Sequence, residues 1–362
     1  MTDILQFIFT NPFTSAVAKG GLVLNVILIV AAFLVYAERK VSAWMQFRVG
    51  PNRVGPLGLL QSFADVLKLY TKEDIVPDNA DRFFHRLAPL IAIAIALAIL
   101  CVLTPASYIT IGDVKYYISI APNVNVGVLI ILALTSVAVY GITLAGWSSN
   151  NKYSLMGGLR SSAQMISYEL SMGLSLVGVL MLAGSLDMNK IVASQANGVW
   201  NIVTQPLGFI IFLVSSFAET NRAPFDLPEA EPELVGGYHT EYSGMKFGLF
   251  YLAEYANMFT ASAVITTLFL GGYHAPGLST VFSLLGLNVV EGDLLMVLIQ
   301  VGTFAAKVGF MLFFFIWVRW TLPRFRYDQL MNLGWKVLLP LSLVNIILTG
   351  GVMLALQQLS IL

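Results

Sequence analysis

Residues 90–103 read LIAIAIALAILCVL, without a single charge. The apolar stretch around them extends from Leu87 to Thr104. No polar side chain recurs at a spacing of two or of 3.6 residues, so no face is kept for water. A segment that is apolar on every side and close to the roughly 20 residues needed to cross a hydrocarbon core reads as a transmembrane helix. Working outward, seven more stretches come close or qualify: 20–37, 124–146, 161–184, 206–219, 247–271, 294–318 and 337–358. The one at 206–219 is short, and Trp200 to Val203 are available to extend it.

Composition agrees with this pattern. The chain of 362 residues is 57% hydrophobic and 11% charged, against about 25% charged in an average soluble domain. Such a chain cannot cover a water-exposed surface, which excludes a soluble enzyme, a disordered chain and a nucleic-acid binder. The 20 basic residues balance the 20 acidic ones, so net charge suggests no polyanionic partner. The expected fold class is all-α: a polytopic membrane bundle of eight transmembrane helices plus a cytoplasmic-side amphipathic helix. It forms one integral membrane domain over 1–362, with no internal repeat and two long inner loops at 38–86 and 219–246.

Basic residues orient the bundle. With both termini outside, the inner segments carry 16 Lys and Arg and the outer ones carry Lys19, Lys115 and Lys190. That asymmetry is a positive-inside signal, and both ends outside requires an even number of spans. The N-terminus has Asp3 and no basic residue before Lys19, so it does not read as a cleaved signal peptide. In the first inner loop RVGPNRVGPLG (48–58) forces bends. Leu59, Leu60, Phe63, Val66, Leu67 and Tyr70 then share one helical face, with Gln61, Ser62, Asp65 and Lys68 on the other. This is an amphipathic helix lying in the interface plane, packed on other subunits, or both.

Three ionisable residues fall inside spans: Glu169, Glu254 and Lys307. A charge near a helix centre costs about 2.5–3.5 kcal/mol on insertion scales. The carboxylates lie roughly 10–12 Å from the inner end and the lysine roughly 17 Å, at 1.5 Å per residue. Groups placed there can relay protons and sense nearby charge; the alternative is a buried Glu–Lys pair that only orders the bundle. In the inner loop after the fifth span, residues 219–242 carry Glu219, Asp226, Glu229, Glu231, Glu233 and Glu241 against Arg222 alone. Pro224, Pro228 and Pro232 keep it from being a regular helix. Its mixture with Phe225, Leu227 and Tyr238 argues for partial burial, which favours protonated and coupled carboxyls; a solvated acidic loop is the alternative. His85, His239 and His274 all lie outside the eight stretches, so no helix pair can hold a haem by histidines. The single Cys101 excludes an intrachain disulfide and a Cys-ligated cluster. The chain thus has proton-handling groups and nothing that carries electrons.

Four motifs carry a resemblance: ERKVSAWMQFRVGPNRVGPLGLLQSFADVLKL (38–69), NNKYSLMGGLRSSAQMISYE (150–169), ETNRAPFDLPEAEPELVGGYHTEYSGMKF (219–247) and FYLAEY (250–255). In order and spacing the chain resembles the H-subunit family of NADH:quinone oxidoreductase, respiratory complex I. The resemblance implies a subunit of that translocase, in a bacterial inner membrane, with both termini periplasmic. It implies a quinone-access channel lined by Glu38, Arg39, Phe47, Arg48, Arg53, Phe63, Arg222 and Asp226. It further implies a proton-coupling path through Glu219, Glu229, Glu231 and Glu233 to Glu169 and Glu254, extended here towards Lys307. Quinone would be the substrate. FMN and iron–sulfur clusters would belong to partner subunits of the peripheral arm, and other membrane-arm subunits and lipid would complete the surroundings. A stand-alone proton-coupled transporter, a purely structural anchor and a hydrogenase membrane subunit are the rival classes.

Overall fold

The computed structural model describes residues 12–111, 114–121, 124–196, 199–227, 235–275 and 292–359. The chain is built almost wholly of helices. In order they are α1 (Pro12–Met45), α2 (Gln61–Thr71), α3 (Arg82–Ile99), α4 (Gly127–Ser148), α5 (Lys152–Ala183), α6 (Met188–Ala196), α7 (Asn201–Thr204), α8 (Pro206–Glu219), α9 (Gly244–Phe269), α10 (Leu294–Thr321), α11 (Tyr327–Asn332) and α12 (Leu339–Gln358). A π-helical turn, Leu333–Leu338, joins the last two. Every predicted span coincides with a helix. Among the described residues six helical segments are long and apolar enough to cross a membrane: α1, α3, α4, α5, α10 and the Tyr327–Gln358 run. Helix α9 is long enough at 26 residues but carries more polar groups.

Local chemistry sets the helix ends. Asp81 caps α3 by accepting from the backbone N–H groups of Phe83 and Phe84 at 3.0 and 3.3 Å, and Asn151 caps α5 through Tyr153 N–H at 3.0 Å. These satisfy donors that a helix start leaves open. The α3 cap moves the second span to Arg82–Ile99, five residues earlier than the apolar run suggests. One expectation falls with this shift: His85 lies inside that helix, in its first turn.

The short fifth span is a broken helix. Four-residue α7 is followed by Gln205 at φ −131 and ψ 56, and α8 then runs 14 residues, about 21 Å. Irregular backbone at membrane depth is tolerated where protein surrounds it. Gln205 is buried; its amide donates to Thr349 Oγ1 at 3.0 Å and its carbonyl accepts from Asn345 Nδ2 at 3.2 Å. Thus α12 holds the break.

Helices pack closely through small residues. A Cβ on Gly146 of α4 would lie 2.7 Å from the Ser154 carbonyl and 3.1 Å from Gly158 Cα on α5, so those backbones nearly touch. The main apolar core draws on α1, α3, α4, α5, α8, α9 and α10. A smaller core between the N-terminal parts of α3 and α9 and the C-terminal part of α4 includes Tyr238, Tyr242 and Phe250. An antiparallel hairpin that the sequence pattern did not suggest, β1 (Tyr108–Ile111) and β2 (Val114–Tyr117), pairs Tyr108 with Tyr117 between α3 and α4. Gln300 Oε1 accepts from Ser107 N–H and Oγ at 3.0 and 2.9 Å, fixing the approach to the hairpin to α10.

Candidate functional site

Where α8 ends, Arg222 enters the space between three spans. Its Nη1 donates to Glu38 Oε2 of α1 at 2.7 Å, and its Nε lies 2.6 Å from Glu254 Oε1 of α9. Arg319 near the end of α10 donates to the other Glu38 oxygen at 2.5 Å. Tyr255 adds its hydroxyl to Glu38 Oε2 at 2.8 Å, and its ring lies 4.5 Å from the Arg222 guanidinium. The side chains of Arg222 and Glu38 are 2% and 6% exposed. Two guanidinium groups and two carboxylates therefore form one buried network of balanced formal charge. Burial works against the Arg222 charge, but Glu254 and Glu38 outweigh it and hold its pKa above the ordinary arginine value. Within this network Glu254 pairs with Arg222, whereas the Lys307 ammonium is bonded to main-chain carbonyls elsewhere.

A second pair lies beside it. Arg324 Nη2 donates to Asp226 Oδ2 at 2.8 Å. Burial raises the Asp226 pKa, opposed by Arg324, Arg319 and Arg222. Among the described residues Asp226 Oδ1 and Arg222 Nη2 are buried with no hydrogen-bond partner. Such atoms are costly to leave open and are the ones that a polar ligand or water would engage.

The loop owes its position to α5. Gln164 is fully buried, and its amide donates to the carbonyls of Ala218 at 2.7 Å and Phe225 at 2.8 Å, and to Asn221 Oδ1 at 3.2 Å. Further along, Ser154 Oγ donates to the Tyr238 carbonyl at 2.9 Å. A Cβ on Gly157 would come within 2.8 Å of Gly237 Cα and C and of Tyr238 N. Asn151 Nδ2 donates to Glu241 Oε1 at 2.5 Å, so Glu241 helps to fasten the loop. His239 lies edge-on to Tyr238 and Phe247, and burial lowers its pKa to about 4.

The remaining intramembrane carboxylates form a second group. Ser136 Oγ of α4 donates to Glu169 Oε1 of α5. Glu219 at the end of α8 faces Thr135 and is close enough to Glu169 for their charges to interact. Two narrow cavities meet at Glu219. One of about 30 Å³ is lined by Glu219, Asn221, Tyr238, Glu254 and Asn257, among others. The other, of about 50 Å³, is lined by Thr135, Ser216, Glu219, Asn257 and a longer apolar stretch. Either exceeds the roughly 10–15 Å³ that one water needs. Glu254 and Glu219 thus share a polar, water-sized space.

At the inner end of α1 the expected channel residues are spread over a surface. The first inner loop folds back so tightly that a Cβ on Gly58 would lie 2.2 Å from the Pro51 carbonyl oxygen. Tyr36 hydroxyl donates to the Leu57 carbonyl at 2.9 Å. In α2 the polar face is the inner one: Ser62 Oγ donates to the Ala32 carbonyl at 2.6 Å, and Asp65 pairs with Arg39 at 2.5 Å. The apolar face with Phe63, Val66, Leu67 and Tyr70 is exposed, as is Phe47. Arg48 bonds Gln46 at 2.7 Å, and Arg53 is exposed. Of the eight expected channel residues, only Glu38, Arg222 and Asp226 are buried.

Lys307 lies elsewhere. Its ammonium donates to the carbonyls of Leu270, Gly272 and His274 at 2.7, 2.9 and 2.6 Å and stands 4.5 Å from the Trp200 ring. Leu270, at the C-terminal end of α9, is sixteen residues beyond Glu254, about 24 Å along the helix axis. Glu229, Glu231, Glu233, Pro228 and Pro232 lie outside the described residues. Among the described residues no cluster of His, Cys, Asp or Glu could hold a metal ion. Sequence reasoning missed Arg319, Tyr255 and Gln164. Arg319 was legible only as an ordinary basic residue at a helix end, and Gln164 as an uncharged polar residue within a span, a weaker signal than a charge at the same depth.

Helices of this length and apolarity around a buried ion network define a multi-pass helical membrane protein. The NADH dehydrogenase family model matches residues 18–350. The chain is 57% identical over 331 residues to NADH-quinone oxidoreductase subunit 8 of Rhodothermus marinus, covering 90% of this chain and 94% of that protein. It is 55% identical over 338 residues to the NADH-quinone oxidoreductase H subunit of Salinibacter ruber, covering 92% and 94%. It is 51% identical over 332 residues to an NADH-quinone oxidoreductase H subunit, numbered 1, of Cytophaga hutchinsonii, covering 92% and 94%. The chain belongs to this NADH dehydrogenase family, and the relatives named above are subunits of NADH-quinone oxidoreductase.

Proposed function

We propose that this chain is the membrane subunit through which quinone reduction is coupled to proton translocation in an NADH:quinone oxidoreductase of the bacterial inner membrane, with both termini on the periplasmic side. The observation that carries this reading is the Glu254–Arg222–Glu38–Arg319 network beside the cavity that leads to Glu219. The exposed apolar face of α2 with Phe47 and Phe63 receives the long quinone tail from the bilayer. Arg39, Arg48 and Arg53 border that approach. An iron–sulfur cluster and FMN held by peripheral-arm partners would supply the electrons that reduce the headgroup. Among this chain's own residues, the open polar atoms Arg222 Nη2 and Asp226 Oδ1 respond to the change in charge and proton demand.

Removing or adding a proton at Asp226 or Glu254 unbalances a network whose centre, Glu38 and Arg222, is almost wholly buried, where charges are weakly screened, so the disturbance passes to the next carboxylate. Through the water-sized space it reaches Glu219 and then Glu169. Glu169 is only half-buried and is flanked by the exposed Ile166 and Leu170, which suits a handover to a neighbouring membrane-arm subunit. Glu229, Glu231 and Glu233 extend the path on the headgroup side, and Lys307 is its far end. The test is Glu169→Gln in assembled complex. Quinone-linked turnover and proton uptake fall, while NADH oxidation by a water-soluble acceptor is retained. Wild-type turnover with full pumping in that variant would remove Glu169 from the path.

A further inference from the structure

The larger cavity does not stop at the carboxylates. Its lining on α5 runs from Met165 to Leu176 and on α9 from Asn257 to Leu268, about 16 Å along each axis. Its character changes along that length. Glu219, Thr135, Ser216 and Asn257 line the inner part; Val128, Leu176, Met188 and Leu268 line the part towards the outer ends of α4 and α9. Val128 N–H donates to the Leu186 carbonyl at 3.1 Å, and Met188 is the first residue of α6, so α6 lies across the outer end. A constriction lined only by apolar side chains, as in the outer part of this cavity, stays dry and blocks ions until it hydrates.

We propose that this cavity is a proton outlet to the periplasmic side contained within this one chain, closed by an apolar plug of Val128, Leu176, Met188 and Leu268. It rests on the relay role given to Glu219 above and adds an exit to it. When the plug hydrates, the Glu219 carboxyl gives its proton to a cavity water and becomes a carboxylate. The proton moves outward along hydrogen-bonded waters, and the carboxylate regains one from the inner side. Met188 suits a movable stopper, because its unbranched thioether repacks readily.

The test uses the whole complex reconstituted in liposomes with an internal pH dye. Complex is counted by NADH oxidation with a water-soluble acceptor. Leu176→Asn raises the resting proton conductance severalfold. Glu219→Gln added to Leu176→Asn returns it to the wild-type level. Ala261→Leu, which fills the cavity, lowers protons pumped per electron. Should Leu176→Asn fail to assemble, Leu268→Ser takes its place with the same expectation. Wild-type conductance in the polar variants, a leak that persists with Glu219→Gln, or full pumping in Ala261→Leu each overturns the outlet. The two proposals fail separately. Full pumping in Glu219→Gln alone defeats the relay; a pumping loss there with no leak in Leu176→Asn defeats the outlet alone.

Discussion

Glu38 occupies a place in α1 where an apolar residue would pack. Among the buried positions there, Ile27, Ala31, Leu34, Glu38 and Ser42 form a stripe at spacings of three and four that a helix turns to one side. In the sequence this span reads only as an apolar stretch, and Glu38 reads locally as one charge of a Glu-Arg-Lys end, where snorkelling is ordinary. Its partners sit 184 and 281 residues away, which no local pattern reports. Because the network is buried, removing one member leaves its partners uncompensated, a loss of about 3–5 kcal/mol. Arg222→Gln should therefore lower the melting temperature of the purified complex markedly, while Arg39→Gln, whose partner Asp65 is solvent-accessible, should change it little. Gln164→Leu should cost about 1–3 kcal/mol by stranding two buried carbonyls, read in the same melting experiment. His239 gives a pH signature. Its folded pKa of about 4 lies below the ordinary histidine value of 6.5, so the unfolded chain takes up the proton first. Its contribution is intact above pH 6.5 and is lost as pH falls towards 4; Asp226, with its raised pKa, acts in the opposite direction. His239→Leu should flatten the acid limb of the stability profile, and an unchanged limb would show that His239 does not titrate there.

At the scale of elements, each of the eight apolar stretches overlaps a helix, six of them in helical segments long and apolar enough to cross a membrane, and amphipathic periodicity located α2. Boundaries followed different physics. Asp81 starts α3 earlier than hydropathy does, and Gln205 breaks the fifth span through contacts with α12 that lie far away in sequence. For α2 the amphipathic pattern was legible, but not which face looks inward. The answer depended on the Ala32 carbonyl and Arg39 offering polar partners to Ser62 and Asp65. The exposed apolar face makes α2 the element most sensitive to charge. Val66→Glu should raise the apparent KM for a long-tailed quinone severalfold while leaving turnover with a short, water-soluble quinone near normal; equal effects on both would detach α2 from tail binding. Arg53→Ala should likewise weaken apparent quinone affinity more than it lowers the amount of assembled complex.

For the whole molecule, the distribution of basic residues predicts which ends face which side, and cysteine labelling can read it. In a Cys101→Ala background, Lys115→Cys in β2 should react with an impermeant maleimide from the periplasmic side. Asn150→Cys, at the exposed turn between α4 and α5, should react only in inverted vesicles. The opposite pattern would reverse the orientation. One further consequence belongs to Gly157. With no side chain there, α5 and the 235–243 segment are joined main chain to main chain, and nothing compressible separates them. Glu169 rides on the same helix twelve residues further on, about 18 Å away. A stiff rod pushed at one end moves at the other. Any shift of that segment at the membrane surface would therefore be delivered to Glu169 as a displacement, in parallel with whatever travels between the charges.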